Sequence, residues 1–388
     1  MRIAIINSVC GSGSTGKICV GISKMLFSNN IQNRIFYFEG NSDYKHATKC
    51  SQSVYTKFQA LISRVLGNYG FNSYLSTFFL IKKLKKYNPD IVHIHNIHGH
   101  DVNLSVFIKW LKKNNKKVVW TLHDCWTFTG YCTYFSLSGC DKWKRECNSC
   151  PQCKKYSWVF DCSKNNYNKK KELLSGGWIT FVTPSRWLCN LAKESFLKDS
   201  EVNVIYNGIN IDVFSPKDVS KNNDRKAVLG VSFGWNERKG IDVFIELAYR
   251  LDDSYDIILV GTDSEIEKKL PSRIKTIRRT SSQAELAKIY SSCDVLVNPT
   301  KDEVFGMVNV EALACGLPVV TFNTGGAPES LNNKSGYVVE CNDISALIEK
   351  IEDVCVGNKI KKHDCVVRGQ EFEENKRYLG YLELYKRV

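Results

Sequence analysis

Short apolar runs alternate with helix-length amphipathic stretches along almost the whole chain, and the alternation occurs in two successive series. In the first, strands are expected at residues 2–7, Ile35 to Glu39, Asp90 to Ile94, Lys117 to Leu122 and Ile179 to Val182. Helices are expected between them, from Thr15 to Phe27, over 55–87, over 104–114 and near 185–196. The second series starts near residue 200, with strands at Val202 to Ile205, Ala227 to Phe233, Ile257 to Val260, Ile274 to Ile277, Val295 to Asn298 and Val319 to Phe322. Its helices are expected at 240–251, 283–292, 306–315 and 343–355. Uninterrupted apolar strands separated by helices indicate parallel sheets covered on both faces. The expected architecture is therefore α/β, with two doubly wound Rossmann-like domains over 1–200 and 201–370. The polar stretch Asn210 to Asn223, with Pro216, is expected to link them, and a final helical segment covers 371–388. Ligands bind such sheets at the carboxyl ends of the strands, and two such domains facing each other would enclose a cleft.

Composition narrows the class. With 388 residues, 43% hydrophobic and 24% charged, the chain is globular rather than disordered. No apolar run reaches the roughly 18 residues a spanning helix needs. The opening run Met1 to Asn7 is too short for a signal peptide, which predicts a cytosolic protein. The net charge of +14 is uneven: residues 1–190 hold 27 Lys and Arg against 9 Asp and Glu, and the remainder 27 against 31. A basic half suits nucleic acid, an anionic membrane surface or a phosphorylated substrate. Residues 78–87 and 106–117 pair apolar residues with lysines, as an interfacial helix would, or as an ordinary solvated helix face would.

Gly11 to Lys17 fits the spacing of a phosphate loop, but Ile18 stands where a magnesium-binding hydroxyl belongs. An NTPase is thereby disfavoured. Two readings stay open for the glycines: backbone N–H groups approaching an anion at a helix N-terminus, or a tight strand-to-helix turn without a ligand. The most informative string is Asn298 to Pro318. A strand ends in a polar loop holding Glu303, and a helix begins near Phe305, Gly306 and Met307. It carries Glu311 about two turns on and stops at Gly316 before Pro318. Free N–H groups at that helix start suit a diphosphate, and the two carboxylates could bracket a nucleotide sugar.

That string, with its Glu-x7-Glu spacing, resembles the signature of family 4 glycosyltransferases, retaining enzymes of the GT-B fold. The resemblance extends to the glycine loop, Asp90 to His93, Thr121 to Asp124, Thr183 to Trp187, Tyr206 to Asn210 and Arg238 to Gly240. It implies an N-terminal acceptor domain, a C-terminal sugar-nucleotide domain and a last helix that returns to the first domain. By resemblance, Glu311 binds the ribose, Glu303 the donor sugar and Lys239 the leaving diphosphate. The backbone of Phe305, Gly306 and Met307 faces the diphosphate or sugar, and Gly16 approaches a phosphate. His123 contacts the sugar, while Thr15, His98 and Asp124 fall on the acceptor side. The family usually has an arginine five residues before the diphosphate lysine; here Gly234 stands there, and Arg238 is the candidate substitute.

The implied reaction moves a sugar from a UDP- or GDP-sugar to a glycan or lipid-linked acceptor, with retention and without a catalytic cofactor. Surface polysaccharide assembly, on the inner face of the plasma membrane, is the implied setting. A sugar-nucleotide epimerase of the same fold and a basic zinc-containing nucleic-acid binder are the rival readings. Nucleic acid is not expected as a partner, because the basic and aromatic residues match no nucleic-acid module.

Of the 16 cysteines, Cys132, Cys140, Cys147, Cys150 and Cys153 crowd into an insert over about 124–175 where the alternation lapses. Cys132, Cys140, Cys147 and Cys150 could form a four-sulfur structural zinc site, or remain free thiols. His93 is expected in the core, and Asn96 to His100 in a loop lining the cleft.

Overall fold

The computed structural model describes residues 1–51, 53–98, 100–219 and 224–388. Positions 220–223 of the expected link therefore lie outside the described residues. The chain divides into one compact unit made of Met1–Tyr206 and Asn375–Val388, and a second made of Asn207–Glu374.

The first unit is built on a seven-stranded parallel sheet in the order β3-β2-β1-β4-β5-β6-β7. The strands are β1 (Arg2–Ile6), β2 (Gln32–Tyr37), β3 (Ala47–Lys49), β4 (Ile91–Ile94), β5 (Lys117–Thr121), β6 (Thr180–Thr183) and β7 (Val202–Val204). Helices α1 (Gly13–Ser28), α2 (Ser53–Leu66), α3 (Tyr74–Tyr87), α4 (Leu104–Lys113), α5 (Cys153–Tyr156), α6 (Ser163–Leu174) and α7 (Arg186–Glu194) fill the connections. Wholly buried strands such as Ile3 to Ile6 and Ile91 to Ile94 explain the unbroken apolar runs.

Two expectations need correction here. Residues 55–87 are not one helix, because Gly67 and Gly70 take φ of 68° and 85° and break the run between α2 and α3. The strand near 202 does not open the second series. It pairs with β6 as the seventh strand of the first sheet, so the division falls at Tyr206 rather than at residue 200.

The second unit holds a six-stranded parallel sheet in the order β10-β9-β8-β11-β12-β13. Its strands are β8 (Lys226–Val231), β9 (Tyr255–Val260), β10 (Ile274–Ile277), β11 (Val295–Asn298), β12 (Val319–Phe322) and β13 (Gly336–Val339). Helices α8 (Ile241–Arg250), α9 (Ser264–Glu267), α10 (Gln283–Ser292), α11 (Met307–Ala314), α12 (Ile344–Cys355) and α13 (Lys362–Gln370) surround it. Val228, Ile257, Leu259, Val295, Val297 and Val320 from the strands meet Phe244, Leu247, Leu347 and Ile351 from α8 and α12 in its core.

The last helix, α14 (Glu374–Arg387), begins at the boundary and packs in the first unit. Tyr378, Tyr381 and Tyr385 are fully buried among Ile3, Ile5, Ile22 and Val119. Burying three phenols requires partners for their oxygens. Tyr385 OH lies 2.6 Å from His93 Nδ1, and Tyr381 OH lies 3.0 Å from Thr121 Oγ1. In both sheets the strand order reverses beside the strand that starts the unit, between β1 and β4 and between β8 and β11. That reversal is where a parallel sheet opens a crevice for a ligand.

Candidate functional site

In the second unit, three loops leaving β8, β11 and β12 are tied together at the carboxyl edge of the sheet. After β8, Asn236 caps a short turn over Glu237–Lys239 by accepting from Lys239 N, and Gly240 follows with φ 76°. A Cβ at Gly240 would meet Pro299 O at 2.4 Å, so only glycine lets the β8 and β11 loops close on each other. Arg238 clamps that contact. Its Nη1 donates to Asp302 O at 2.8 Å, and its own carbonyl accepts from Lys301 N at 2.8 Å. After β12, Gly326 N donates to Glu303 O at 2.9 Å. Gly325 sits so close that a Cβ would meet that oxygen at 1.8 Å.

These ties deliver Glu303 against Lys239, whose Nζ donates to Glu303 Oε2 in a mostly buried ion pair. Burial alone would raise the Glu303 carboxyl, but the Lys239 charge and hydrogen bond, with Arg238 nearby, hold it below its ordinary value. It is therefore a carboxylate at neutral pH. Gly306, with φ 82°, turns the chain from Phe305 into α11. Asn298 donates to Asn309 Oδ1 at 2.8 Å, and Asn309 in turn donates to Ser330 Oγ at 3.0 Å, which locks the start of α11 to the β11 and β12 ends. Phe305 is buried against Phe372, with ring centroids 5.6 Å apart, so only its backbone is available to a ligand. Met307, at the first position of α11, is half-buried. Glu311, one helix face further on, accepts from Tyr290 OH of α10 at 3.1 Å.

The unusual glycine also has a local reason. Gly234 takes φ 92°, a backbone conformation that arginine would adopt only with strain. The charge on Arg238 is present nearby, although its guanidinium is engaged with the β11 loop.

In the first unit, the loops after β1, β4 and β5 form a second cluster. Ser8 N donates to Asn96 O at 2.8 Å, and Asn96 N to Asn7 Oδ1 at 3.1 Å, joining the β1 and β4 ends. Gly16 lies against Gly11 N and Val9, each 3.1 Å from where its Cβ would stand. A side chain there would therefore press on the turn, with or without a ligand. Thr15 Oγ1 accepts from Asn7 Nδ2 at 3.3 Å. His95 Nδ1 lies 2.9 Å from His123 Nε2, and His98 Nε2 lies 2.8 Å from Asp124 Oδ2. Burial drives His123 down to about 4 and His93 to about 3. Asp124 would be raised by burial, but His98 and the Trp126 amide hold it low. His93 is in the core as expected, bonded to Thr121 and Tyr385.

Three features escaped the sequence reading. Asp101 is buried with its carboxyl pushed well up by desolvation, and it accepts from Ser8 Oγ at 2.7 Å. Lys170, fully buried, donates to Trp126 O at 2.6 Å and Thr129 O at 2.9 Å within the insert. Tyr290, which holds Glu311, lies on a helix with no motif of its own. None carries a sequence signal, because each depends on long-range packing.

In the insert, Cys132, Cys140, Cys147 and Cys150 line one pocket together with Trp143 and Phe135. Cys147 Sγ accepts from Gly130 N at 3.3 Å. The Cys150 thiol is drawn down to about 7, chiefly by its hydrogen bond with Cys132. Among the described residues, no three potential ligands already stand at metal-binding spacing. Cys153 lies outside that pocket, at the start of α5.

Two family profiles match adjoining parts of the chain: Glycosyltransferase Family 4 over residues 35–213, and Glycosyl transferases group 1 over 214–372. An uncharacterised 41.2 kDa protein in the cps region of Klebsiella pneumoniae is 22% identical over 96% of both chains. The putative colanic acid biosynthesis glycosyl transferase WcaC of Escherichia coli K12 is 24% identical over 67% of this chain and 66% of its own. The Anabaena protein HepE, solved in complex with UDP-glucose, superposes over the full length of both chains with a TM-score of 0.68 at 15% identity. The tied strand-end loops, the Glu303 and Glu311 spacing and the two adjoining profile matches lead to one assignment: the chain belongs to glycosyltransferase family 4 and is a glycosyltransferase of the GT-B fold.

Proposed function

We propose that the protein is a retaining glycosyltransferase that moves a sugar from a nucleotide diphosphate donor to a glycan or lipid-linked acceptor in surface polysaccharide biosynthesis. The observation that carries this reading is the Lys239–Glu303 pair at the sheet's carboxyl edge, beside the start of α11. A cation and a carboxylate side by side suit a diphosphate leaving group next to sugar hydroxyls. Glu311, held by Tyr290, would accept from the ribose hydroxyls. Glu303 would exchange its bond to Lys239 for bonds to the donor sugar, freeing Lys239 for the diphosphate. Arg238 and the backbone N–H groups around Gly306 and Met307 would share that charge, so no metal enters the proposed transfer.

On the first unit, His123 would contact the sugar as a neutral imidazole, consistent with its depressed pKa. Gly16 would border a phosphate, and Thr15, His98 and Asp124 the acceptor. As the bond from the anomeric carbon to the diphosphate breaks, the acceptor hydroxyl would attack from the same face. That same-face attack retains the configuration, and the hydroxyl's proton would pass to the departing phosphate oxygen.

UDP is the first donor base to test, because HepE was solved with UDP-glucose. The setting in surface polysaccharide assembly is supported by the cps-region and colanic acid relatives. Action at the inner face of the plasma membrane belongs to the same proposal. The comparisons favour neither the epimerase nor the nucleic-acid reading.

The test is the melting midpoint in the presence of UDP, GDP, ADP and their sugar conjugates, for the wild type and Glu311→Ala. A ligand that binds only the folded state raises the midpoint. A shift with one nucleotide series, lost in the variant, is expected; no shift with any series would overturn the donor assignment.

A further inference from the structure

Helix α2 is packed inside out, and α3 carries a second apolar face toward solvent. On α2, Thr56, Gln59 and Ser63 face the interior, with Ser63 only 1% exposed, while Phe58, Leu61 and Val65 face solvent. Residues 58, 61 and 65 are spaced as one helix face, so this is a continuous apolar stripe rather than scattered side chains. Helix α3 is apolar on both faces: Ser76, Thr77, Leu80 and Leu84 are buried, whereas Tyr74, Leu75, Phe78 and Phe79 are exposed. Phe78 is 61% exposed.

A third segment joins the same surface. Trp158, Val159 and Phe160 are all more than half exposed, and Trp158 N donates to Arg64 O of α2 at 2.7 Å. Arg64 also stacks over the Trp158 ring at 5.7 Å, and Tyr55 OH accepts from Leu75 N at 3.1 Å, tying α2 to α3. Of the 19 large apolar side chains exposed among the described residues, 11 belong to these three segments. An exposed apolar concentration of that kind marks an interaction surface.

Charge identifies what covers it. Between Asp43 and Asp90 the sequence holds eight Lys and Arg and no acidic residue. Lys57, Arg64, Lys82, Lys85 and Lys86 are exposed on the same two helices. Asp161, the acid beside Phe160, is committed to the amides of Cys150 and Ser163. We propose that this face of the first unit docks on an anionic lipid bilayer, with the aromatic side chains at the headgroup level and the lysines against acidic lipid. Aromatic and basic residues on one apolar face are the composition of an interfacial helix. A symmetric dimer through the same patch would set like charges against like, because a two-fold contact places one surface on itself. No described helix is long and apolar enough to cross a membrane, so the contact is peripheral.

The structure also revises which residues do this. The lysine-rich stretch 106–117 does not share this role: Phe107, Ile108 and Leu111 of α4 are fully buried, so its apolar face is consumed by the core. This inference does not depend on the sugar-transfer reading.

The test is co-sedimentation of the full chain with vesicles of phosphatidylcholine alone and of phosphatidylcholine with phosphatidylglycerol. Binding to the anionic vesicles only, weakened by salt, is expected. The double substitution Phe78→Ser with Phe79→Ser should weaken it by about tenfold or more, and so should Lys82→Glu, Lys85→Glu and Lys86→Glu together. All these side chains are exposed, and unchanged melting of each variant verifies the fold. Tyr249→Ser, an exposed apolar side chain on the second unit, should leave binding unchanged. Equal binding to neutral vesicles, no binding, or patch variants that bind like the wild type would each overturn the proposal. So would sedimentation velocity showing a dimer broken by the patch variants in a protein that ignores vesicles.

Discussion

Lys239 and Glu303 neutralise each other at the carboxyl edge of the second sheet, although they stand on loops 64 residues apart. Both side chains are largely removed from water, so each depends on the other until a ligand replaces it. Lys239→Ala should lower turnover by about a hundredfold or more, the scale found when one preorganised charge partner of a transition state is removed. Glu303→Gln should also be severely impaired, and a loss confined to KM in steady-state assays would contradict the proposed role of Lys239.

Tyr290→Phe removes a single donor to Glu311 without changing the ring that fills the space. The expected effect is a rise in donor KM corresponding to about 1 kcal/mol, with kcat nearly unchanged. A selective fall in kcat would mean that Glu311 does more than hold the ribose.

Gly325→Ala should destabilise the second unit. The new Cβ would collide with Glu303 O, and the residue would be held at φ 57°. Urea unfolding should show a lowered midpoint with an unchanged slope. A wild-type midpoint would mean that the β12 loop yields freely.

Acid should weaken the first unit before the carboxylates titrate. His93, His95, His100 and His123 are all pushed below 6.5 by burial, His100 and His123 to about 4. Between about 4 and 6.5 the unfolded chain binds more protons at these rings than the folded one, so stability falls as pH falls through that window. Asp101, whose carboxyl is raised, works in the opposite direction. The four histidines outweigh it, and the melting midpoint should drop from pH 7 to pH 5. A flat profile would show that these rings titrate alike in the folded and the unfolded chain.

The four pocket cysteines predict bound zinc. Cys132, Cys140, Cys147 and Cys150 line one pocket, where the Gly130 amide donates to Cys147, and four thiolates are a ligand set that suits zinc. Protein purified without chelator should carry about one zinc per chain by mass spectrometry of the metal. Cys147→Ser with Cys150→Ser should remove it and lower the melting midpoint. Metal-free wild type of equal stability would leave the insert as a pocket of free thiols.

Much of this was legible in the residues because parallel strands write their burial directly into sequence. Strands β10, β11 and β12 fall where the apolar runs place them, and Gly316 ends α11 as expected. Edge strands were less legible: the strand at Val202 was read but put in the wrong sheet, and Ala47–Lys49 was not read at all. Val202–Val204 is only half-buried and looks alike on either side of a domain boundary, while Ala47–Lys49 has no fully buried residue at all. The Glu303 and Glu311 spacing could be read, because it is set by one loop and one helix. The Lys239 contact could be anticipated only by resemblance, since it is made by glycines that let separate loops touch. The exposed apolar faces of α2 and α3 were least legible of all. An apolar stripe looks the same in sequence whether it points at a core or away from one.

The placement of α14 bears on the order in which the molecule is made. Most of the first unit leaves the ribosome early, yet His93 and Thr121 wait for hydroxyls from Tyr385 and Tyr381. The whole of Asn207–Glu374 is translated in between. The second unit can therefore finish folding while the first still has an unfilled groove over its sheet, and the part synthesised first is the last to close.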